Sequence, residues 1–134
     1  MAPRPVYKTF VVERHVPVPR ARVWQALVEL VGVDDEKHFR IDAWDLVERT
    51  LSFEPPWRRV YEIVQGAPVA RYQGTTALRD DGPECHLIWS YLAEPHTDGT
   101  SDAFLERAKQ ALHTAADLVA ARATQQETAP DHLQ

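Results

Sequence analysis

The longest regular pattern in the chain is an amphipathic segment between Ser101 and Arg122. At about 100° per residue, its small and apolar side chains gather within about 40° of one line, and charged side chains occupy the opposite side. The residues on that line are Phe104, Ala108, Ala111, Ala115, Leu118 and Arg122, flanked by Leu105, Leu112 and Val119. The pattern predicts one continuous helix, whose alanines either approach a sheet closely or leave room for a ligand.

Strand patterns fill most of the chain before this helix. Residues 6–16 alternate in the manner of a strand, and after two prolines the spacing changes to that of a short helix over residues 20–31. Gly32 ends this helix, and residues 32–42 form a polar connector in which only Phe39 and Ile41 are apolar anchors, with at most a brief strand. Turns rich in Pro and Gly then separate four predicted strands, at 43–53, 57–64, 69–79 and 85–93.

This order of elements keeps helices and strands apart and predicts an α+β fold with an antiparallel meander. A length of 134 residues with 44% hydrophobic content is typical of one domain. We expect residues 6–122 to be the ordered core and residues 1–5 and 123–134 to be flexible tails.

Composition argues against several partners. The net charge is −5 and no cluster of Lys and Arg is present, so nucleic acid is not an expected partner. No apolar run approaches the ~20 residues of a membrane span, so no membrane insertion is expected. The single cysteine, Cys85, excludes an intrachain disulfide, and residues 1–10 lack a signal-peptide core, so we expect a cytoplasmic location. The six histidines lack metal-ligand spacing, and neither a metal nor another cofactor is predicted.

Four segments resemble, in the same order, parts of the START-like (SRPBCC, polyketide cyclase/dehydrase and lipid transport) superfamily. They are VERHVPVPRARVWQAL, FEPPWRRVYEIV, APVARYQGTTAL and CHLIWSYLAEP. The resemblance covers residues 6–122 and implies a Bet v 1-like helix-grip fold, in which a curved antiparallel sheet wraps the C-terminal helix around a mainly apolar cavity. Residues 32–42 are shorter than the corresponding part of that family, and a homodimer partner is one way to cover the gap.

Aromatic and small side chains are the candidates for contact with a ligand in such a cavity. Trp89 and Tyr91 share a face of the last strand, while Tyr61 and Tyr72 would bring phenolic hydroxyls from neighbouring strands. Packing in the core is the competing interpretation for each of these residues. The predicted ligand-binding set is Trp44, Tyr61, Tyr72, Leu87, Trp89, Tyr91, Phe104, Ala108, Ala111, Leu112 and Ala115.

Two adjacent charges, Glu48 and Arg49, interrupt the strand at 43–53, and the pleat allows only one of them to face the interior. The alternation counted from Trp44 places Glu48 inside, whereas counting back from Phe53 places Arg49 inside, so the pattern leaves both open. An inward Glu48 would be a general base whose pKa is raised by desolvation. An inward Arg49 would hold a carboxylate or an enolate. A solvated charge or a salt bridge on the sheet is the competing interpretation.

Three functions follow from these observations. We predict binding of a hydrophobic small molecule, such as a lipid, isoprenoid or polyketide, between the sheet and the C-terminal helix. The alternative is an enzyme, a cyclase or dehydratase acting on a polyketide-like substrate, which the resemblance implies. A second alternative is a protein-partner adaptor resembling the co-chaperone members of the superfamily, and its mark would be an exposed Trp57 beside Arg58 and Arg59.

Overall fold

The structure is a computed structural model that describes residues 4–128 of the chain. Within that range the elements are β1 (Lys8–Val16), α1 (Arg20–Val31), β2 (Glu36–Ile41), β3 (Trp44–Glu54), β4 (Arg58–Gln65), β5 (Val69–Asp81), β6 (Glu84–Pro95) and α2 (Asp102–Thr128). The predicted α+β order is confirmed, and the connector after α1 contains a strand, β2, of its own.

The strands form one antiparallel sheet in the order β1-β6-β5-β4-β3-β2. Strands β2 to β6 make a meander, and β1 closes it by pairing with β6. Helix α2 packs against β1, β6 and α1, so it lies across one face of the sheet. This is the helix-grip arrangement that the resemblance implied.

The end of α1 sets the position of β2. Gly32 adopts a φ of 77°, in the region that favours glycine, and its N–H donates a hydrogen bond of 2.7 Å to the carbonyl oxygen of Val28. The chain turns there and enters β2 at the edge of the sheet. Lys37, on β2, thereby reaches back to the last carbonyl group of α1 and donates a hydrogen bond to Val31 O.

The buried face of α2 is rotated from the predicted one. Ala111 and Ala115 are only half-buried, Leu118 is 52% exposed and Arg122 is exposed. The flanking line of larger side chains faces the core instead, because burying Leu and Val removes more apolar area from water than burying Ala. The buried residues of α2 are Phe104, Leu105, Ala108, Leu112, Ala116, Val119 and Ala123.

The helix also continues past Arg122 to Thr128, so residues 123–128 of the predicted C-terminal tail are helical. The rest of that tail, 129–134, and residues 1–3 lie outside the described residues. In the described part of the chain, no helix is long and apolar enough to cross a bilayer.

Candidate ligand cavity

A cavity of about 610 Å³ lies between α2, the end of α1 and strands β2 to β6. This volume is within the range of about 300–1,000 Å³ that is typical of small-molecule sites. Most of its wall is apolar. The apolar and aromatic lining residues are Leu30, Val31, Phe39, Ile41, Tyr61, Ile63, Tyr72, Trp89, Ala111, Leu112, Ala115 and Leu118.

Two alanines of α2 that are only half-buried make room for this cavity. Ala111 and Ala115 lie on its wall and are half-buried, while Ala108 is fully buried and packs in the core. A larger side chain at position 111 or 115 would occupy cavity volume rather than core volume. The sequence pattern left open whether the alanines of α2 pack closely or leave space. The structure shows both: Ala108 packs closely, and Ala111 and Ala115 leave space.

β2 supplies the wall that the short connector was expected to lack. Lys37, Phe39 and Ile41 line the cavity from this strand. The chain itself therefore covers this side of the cavity, and the homodimer stays a prediction.

The predicted ligand-binding residues divide into two groups. Tyr61, Tyr72, Trp89, Ala111, Leu112 and Ala115 line the cavity. The others pack in the hydrophobic core without lining the cavity, which was the competing interpretation: they are Trp44, Leu87, Tyr91, Phe104 and Ala108. Tyr61, Tyr72, Trp89 and Leu112 both line the cavity and belong to this core. Ring contacts account for much of this packing, since Trp44 meets Phe104 edge-on with a centroid distance of 5.3 Å and Tyr91 lies 5.1 Å from Tyr72.

Tyr61 is held in place by three neighbours. Its ring lies over Gly74, where a Cβ atom would come within 2.0 Å of Tyr61 Cζ, so the close approach requires a glycine. Trp89 Nε1 donates a hydrogen bond of 3.1 Å to the Tyr61 hydroxyl. The Arg59 guanidinium lies 4.3 Å from the Tyr61 ring centroid. Burial raises the pKa of Tyr61, and burial raises the pKa of Tyr72 well above its ordinary value, so both phenols keep their protons at neutral pH.

The strand with two adjacent charges places Glu48 in the interior. The Glu48 side chain is 9% exposed and lines the cavity. Arg49 points to the other side of the sheet, where its side chain is 55% exposed and lies 4.0 Å from Glu62. Arg49 is therefore the solvated charge of the two, and Glu48 is the one that could act in the cavity.

Two cations that the sequence reasoning missed contact Glu48. Arg59 Nη2 donates a hydrogen bond of 2.6 Å to Glu48 Oε2, and its Nη1 lies 3.5 Å from Thr76 Oγ1. Lys37 Nζ lies 3.1 Å from the same Glu48 oxygen. Both cations line the cavity, as Glu48 does. We call the part of the wall formed by Lys37, Glu48 and Arg59 the charged end of the cavity; it holds two positive groups and one negative group. The alternation of side chains along the strands could have identified both cations. Arg59 lies two residues before Tyr61 and Lys37 two residues before Phe39, so each shares a face of its strand with an aromatic residue.

Desolvation has the largest effect on the pKa of Lys37. Burial lowers the pKa of its ammonium group, and the nearby Arg59 charge lowers it further, while the contact with Glu48 acts in the opposite direction. The protein therefore holds this lysine where its charged form is less favourable than in water.

The surface mark of an adaptor is formed only in part, with Trp57 and Arg58 exposed. Trp57 is 48% exposed, but Arg59 points into the protein and is 3% exposed. The ring of Trp57 is instead covered by the guanidinium of Arg20, whose Cζ lies 3.4 Å from the ring centroid, and Arg20 also pairs with Asp80.

No protein-family model and no curated protein matches this sequence. Solved structures do match it. Ara h 8.0201 has a TM-score of 0.71 and 16% identity over 89% of this chain and 99% of its own. The Zhui aromatase/cyclase from Streptomyces sp. R1128 has a TM-score of 0.68 and 14% identity over 90% of this chain and 95% of its own. Norcoclaurine synthase from Thalictrum flavum, solved in complex with dopamine and hydroxybenzaldehyde, has a TM-score of 0.64 and 13% identity over 87% of this chain and 86% of its own.

At these identities the likeness establishes the fold. The chain has the Bet v 1-like helix-grip fold, with a curved antiparallel sheet, a long C-terminal helix and a short helix after the first strand. The fold of the START-like superfamily, expected from four short segments of sequence, is thereby confirmed. Proteins with one fold can differ in function, so the fold alone does not define the function of this chain.

Proposed function

We propose that this protein binds a mainly apolar small molecule in the cavity between its sheet and α2. The observation that carries the proposal is the cavity of about 610 Å³ beside the half-buried alanines of α2. The cavity is open to water, and Phe39 and Leu118 on its wall are 37% and 52% exposed. A bound ligand would remove this apolar surface from water, as in most small-molecule sites.

The lining also contains groups that a core does not need. Burying Glu48, Arg59 and Lys37 together requires desolvation of three charges, and apolar residues of similar size would often serve stability equally well. Their presence at the cavity favours a site over simple packing. The solved relative in complex with dopamine and hydroxybenzaldehyde supports the proposal, because it is a chain of the same fold with small aromatic molecules bound.

Filling the cavity should abolish binding without unfolding the protein. We expect the wild type to bind the neutral dye N-phenyl-1-naphthylamine stoichiometrically, with a rise in its fluorescence. Ala111→Trp places an indole on the cavity wall, where the side chain is only half-buried, and should lower dye affinity by at least about tenfold with little change in melting temperature.

Ala121→Trp is the matched control, because Ala121 lies on the exposed side of the same helix. It should bind the dye as the wild type does. A wild-type protein that leaves the dye in solution, or equal binding by Ala111→Trp, would contradict the proposal.

The second candidate is an enzyme that acts on a polyketide-like carbonyl compound. Two observations favour it: Tyr61 and Tyr72 are protonated donors at the cavity, and burial lowers the pKa of Lys37, which also lines it. Incubation with a poly-β-ketone distinguishes the two functions. A carrier releases the compound unaltered, and an enzyme releases a cyclised or dehydrated product that the Lys37→Met variant fails to form.

A further inference from the structure

The charged end of the cavity has more positive than negative groups. Lys37 Nζ and Arg59 Nη2 lie 3.1 Å and 2.6 Å from one and the same oxygen, Glu48 Oε2. The Arg59 side chain is 3% exposed and the Lys37 side chain is 20% exposed, so water screens neither charge as it would at the surface. One carboxylate balances only one of the two cations.

Other acidic groups do not remove this surplus. Asp34 is exposed, and water screens its charge. Asp42, at the mouth of the cavity, is paired with Arg107 at 2.5 Å. Asp45 is paired with Arg40 at 2.9 Å and lies largely in solvent. Each of these carboxylates is therefore solvated or already balanced by its own cation.

Lys37 also has a donor to spare. An ammonium group carries three N–H bonds. Among the described residues its hydrogen-bonding partners are Glu48 Oε2 and the carbonyl oxygen of Val31. The third N–H is left for a group that enters the cavity, which Lys37 lines.

Resting on the proposed function, we propose that the ligand is an amphipathic organic anion, whose apolar body fills the cavity and whose anionic oxygen group, a carboxylate or an acidic enol or phenol, binds the Lys37 ammonium. Such a group would neutralise the surplus positive charge and accept a hydrogen bond from the third N–H of Lys37. Charge-assisted hydrogen bonds of this kind are stronger than neutral ones, so they would select an anion over its uncharged analogue.

Two dyes that differ in one anionic group test this selection. The dye 8-anilinonaphthalene-1-sulfonate carries a sulfonate that N-phenyl-1-naphthylamine lacks. We expect wild type to bind the sulfonated dye about tenfold more tightly, and we expect Lys37→Met to remove this preference while keeping its affinity for the neutral dye. Lys37→Arg should keep the preference. Lys8→Met, a change to an exposed lysine of β1 that does not line the cavity, should leave both affinities unchanged. Decanoate and decanol provide a second matched pair, with a carboxylate in place of the sulfonate.

The possible failures are distinct. If neither dye binds wild type, the proposed function fails. If both bind but wild type shows no preference, or if the preference survives in Lys37→Met, the proposed function stands and the anion proposal is overturned.

Because burial lowers the pKa of Lys37, its charge opposes folding, and Lys37→Met should melt at or above the wild-type temperature. Lys37→Gln serves as a second neutral variant with the same expected loss of preference.

Discussion

Replacing Glu48 by glutamine is expected to lower the free energy of unfolding by about 3–5 kcal/mol, the usual effect of removing one partner from a buried ion pair. The variant leaves Arg59 and Lys37 beside each other with no carboxylate between them. Both side chains are mostly buried, so repulsion adds to the desolvation of each cation. Urea denaturation of the variant and the wild type measures the difference.

Arg49→Gln is the matched control, because it removes the next charge along the same strand from an exposed position on the opposite face. Its effect should stay within about 0.5 kcal/mol. Adding Lys37→Met to Glu48→Gln should recover part of the lost stability, since it removes one of the two opposed cations. Equal small effects of Glu48→Gln and Arg49→Gln would show that the charged cluster is not buried as described.

Two alanines one turn apart on α2 should respond very differently to a new carboxylate. Ala108→Asp buries a charge at a position with no exposed surface, and we expect a loss of about 4 kcal/mol or more, a large part of the 5–15 kcal/mol that holds a typical domain folded. Ala111→Asp places the same group on the half-buried wall of the open cavity, where water can solvate it. That variant should remain folded.

Thermal melts followed by circular dichroism compare the two variants directly. The rotation of α2 described above is responsible for the contrast, since the predicted stripe would have buried both positions. If Ala111→Asp unfolds the protein as completely as Ala108→Asp does, the predicted stripe was right and the observed orientation of α2 is wrong.

The fold could be predicted from the sequence because each element has its own local signal. Pro17 and Pro19 precede α1 and Gly32 ends it, so its bounds of Arg20–Val31 match the prediction. Turn residues such as Gly82, which has a φ of 61° between β5 and β6, separate the strands in the same way. Proline and glycine act on the conformation of their own part of the backbone, so their effect can be predicted from the sequence alone.

The orientation of α2 could not be predicted with the same certainty. A helix of small apolar residues has a wide apolar face, and the period alone does not say which part of that face meets the sheet. The outcome depends on Leu105, Leu112 and Val119, which bury more area than the alanines do. Tertiary packing therefore decides which face of α2 is buried, and the cavity exists because of this orientation.

The interior position of Glu48 was hidden by an irregularity in strand β3. The pairing with β4 passes from Thr50 opposite Tyr61 to Ser52 opposite Val60, so Leu51 is an extra residue of β3. An extra residue resets the alternation, so counting back from Phe53 gave the wrong face for Arg49. No such irregularity interrupts β4 between Arg58 and Glu62 in its pairing with β5, and a strict count from Tyr61 would have placed Arg59 inside.

Intermolecular nuclear Overhauser effects would locate a small molecule bound between the sheet and α2. With ¹³C-labelled protein and unlabelled decanoate, we expect contacts from the ligand chain to the methyl groups of Ala111 and Ala115 on the helix and to the ring of Tyr61 on the sheet. Val11 and Leu92, which are 53% and 39% exposed and do not line the cavity, should show none. Contacts to Val11 and Leu92 without contacts to the two alanines would show that the ligand binds outside the cavity.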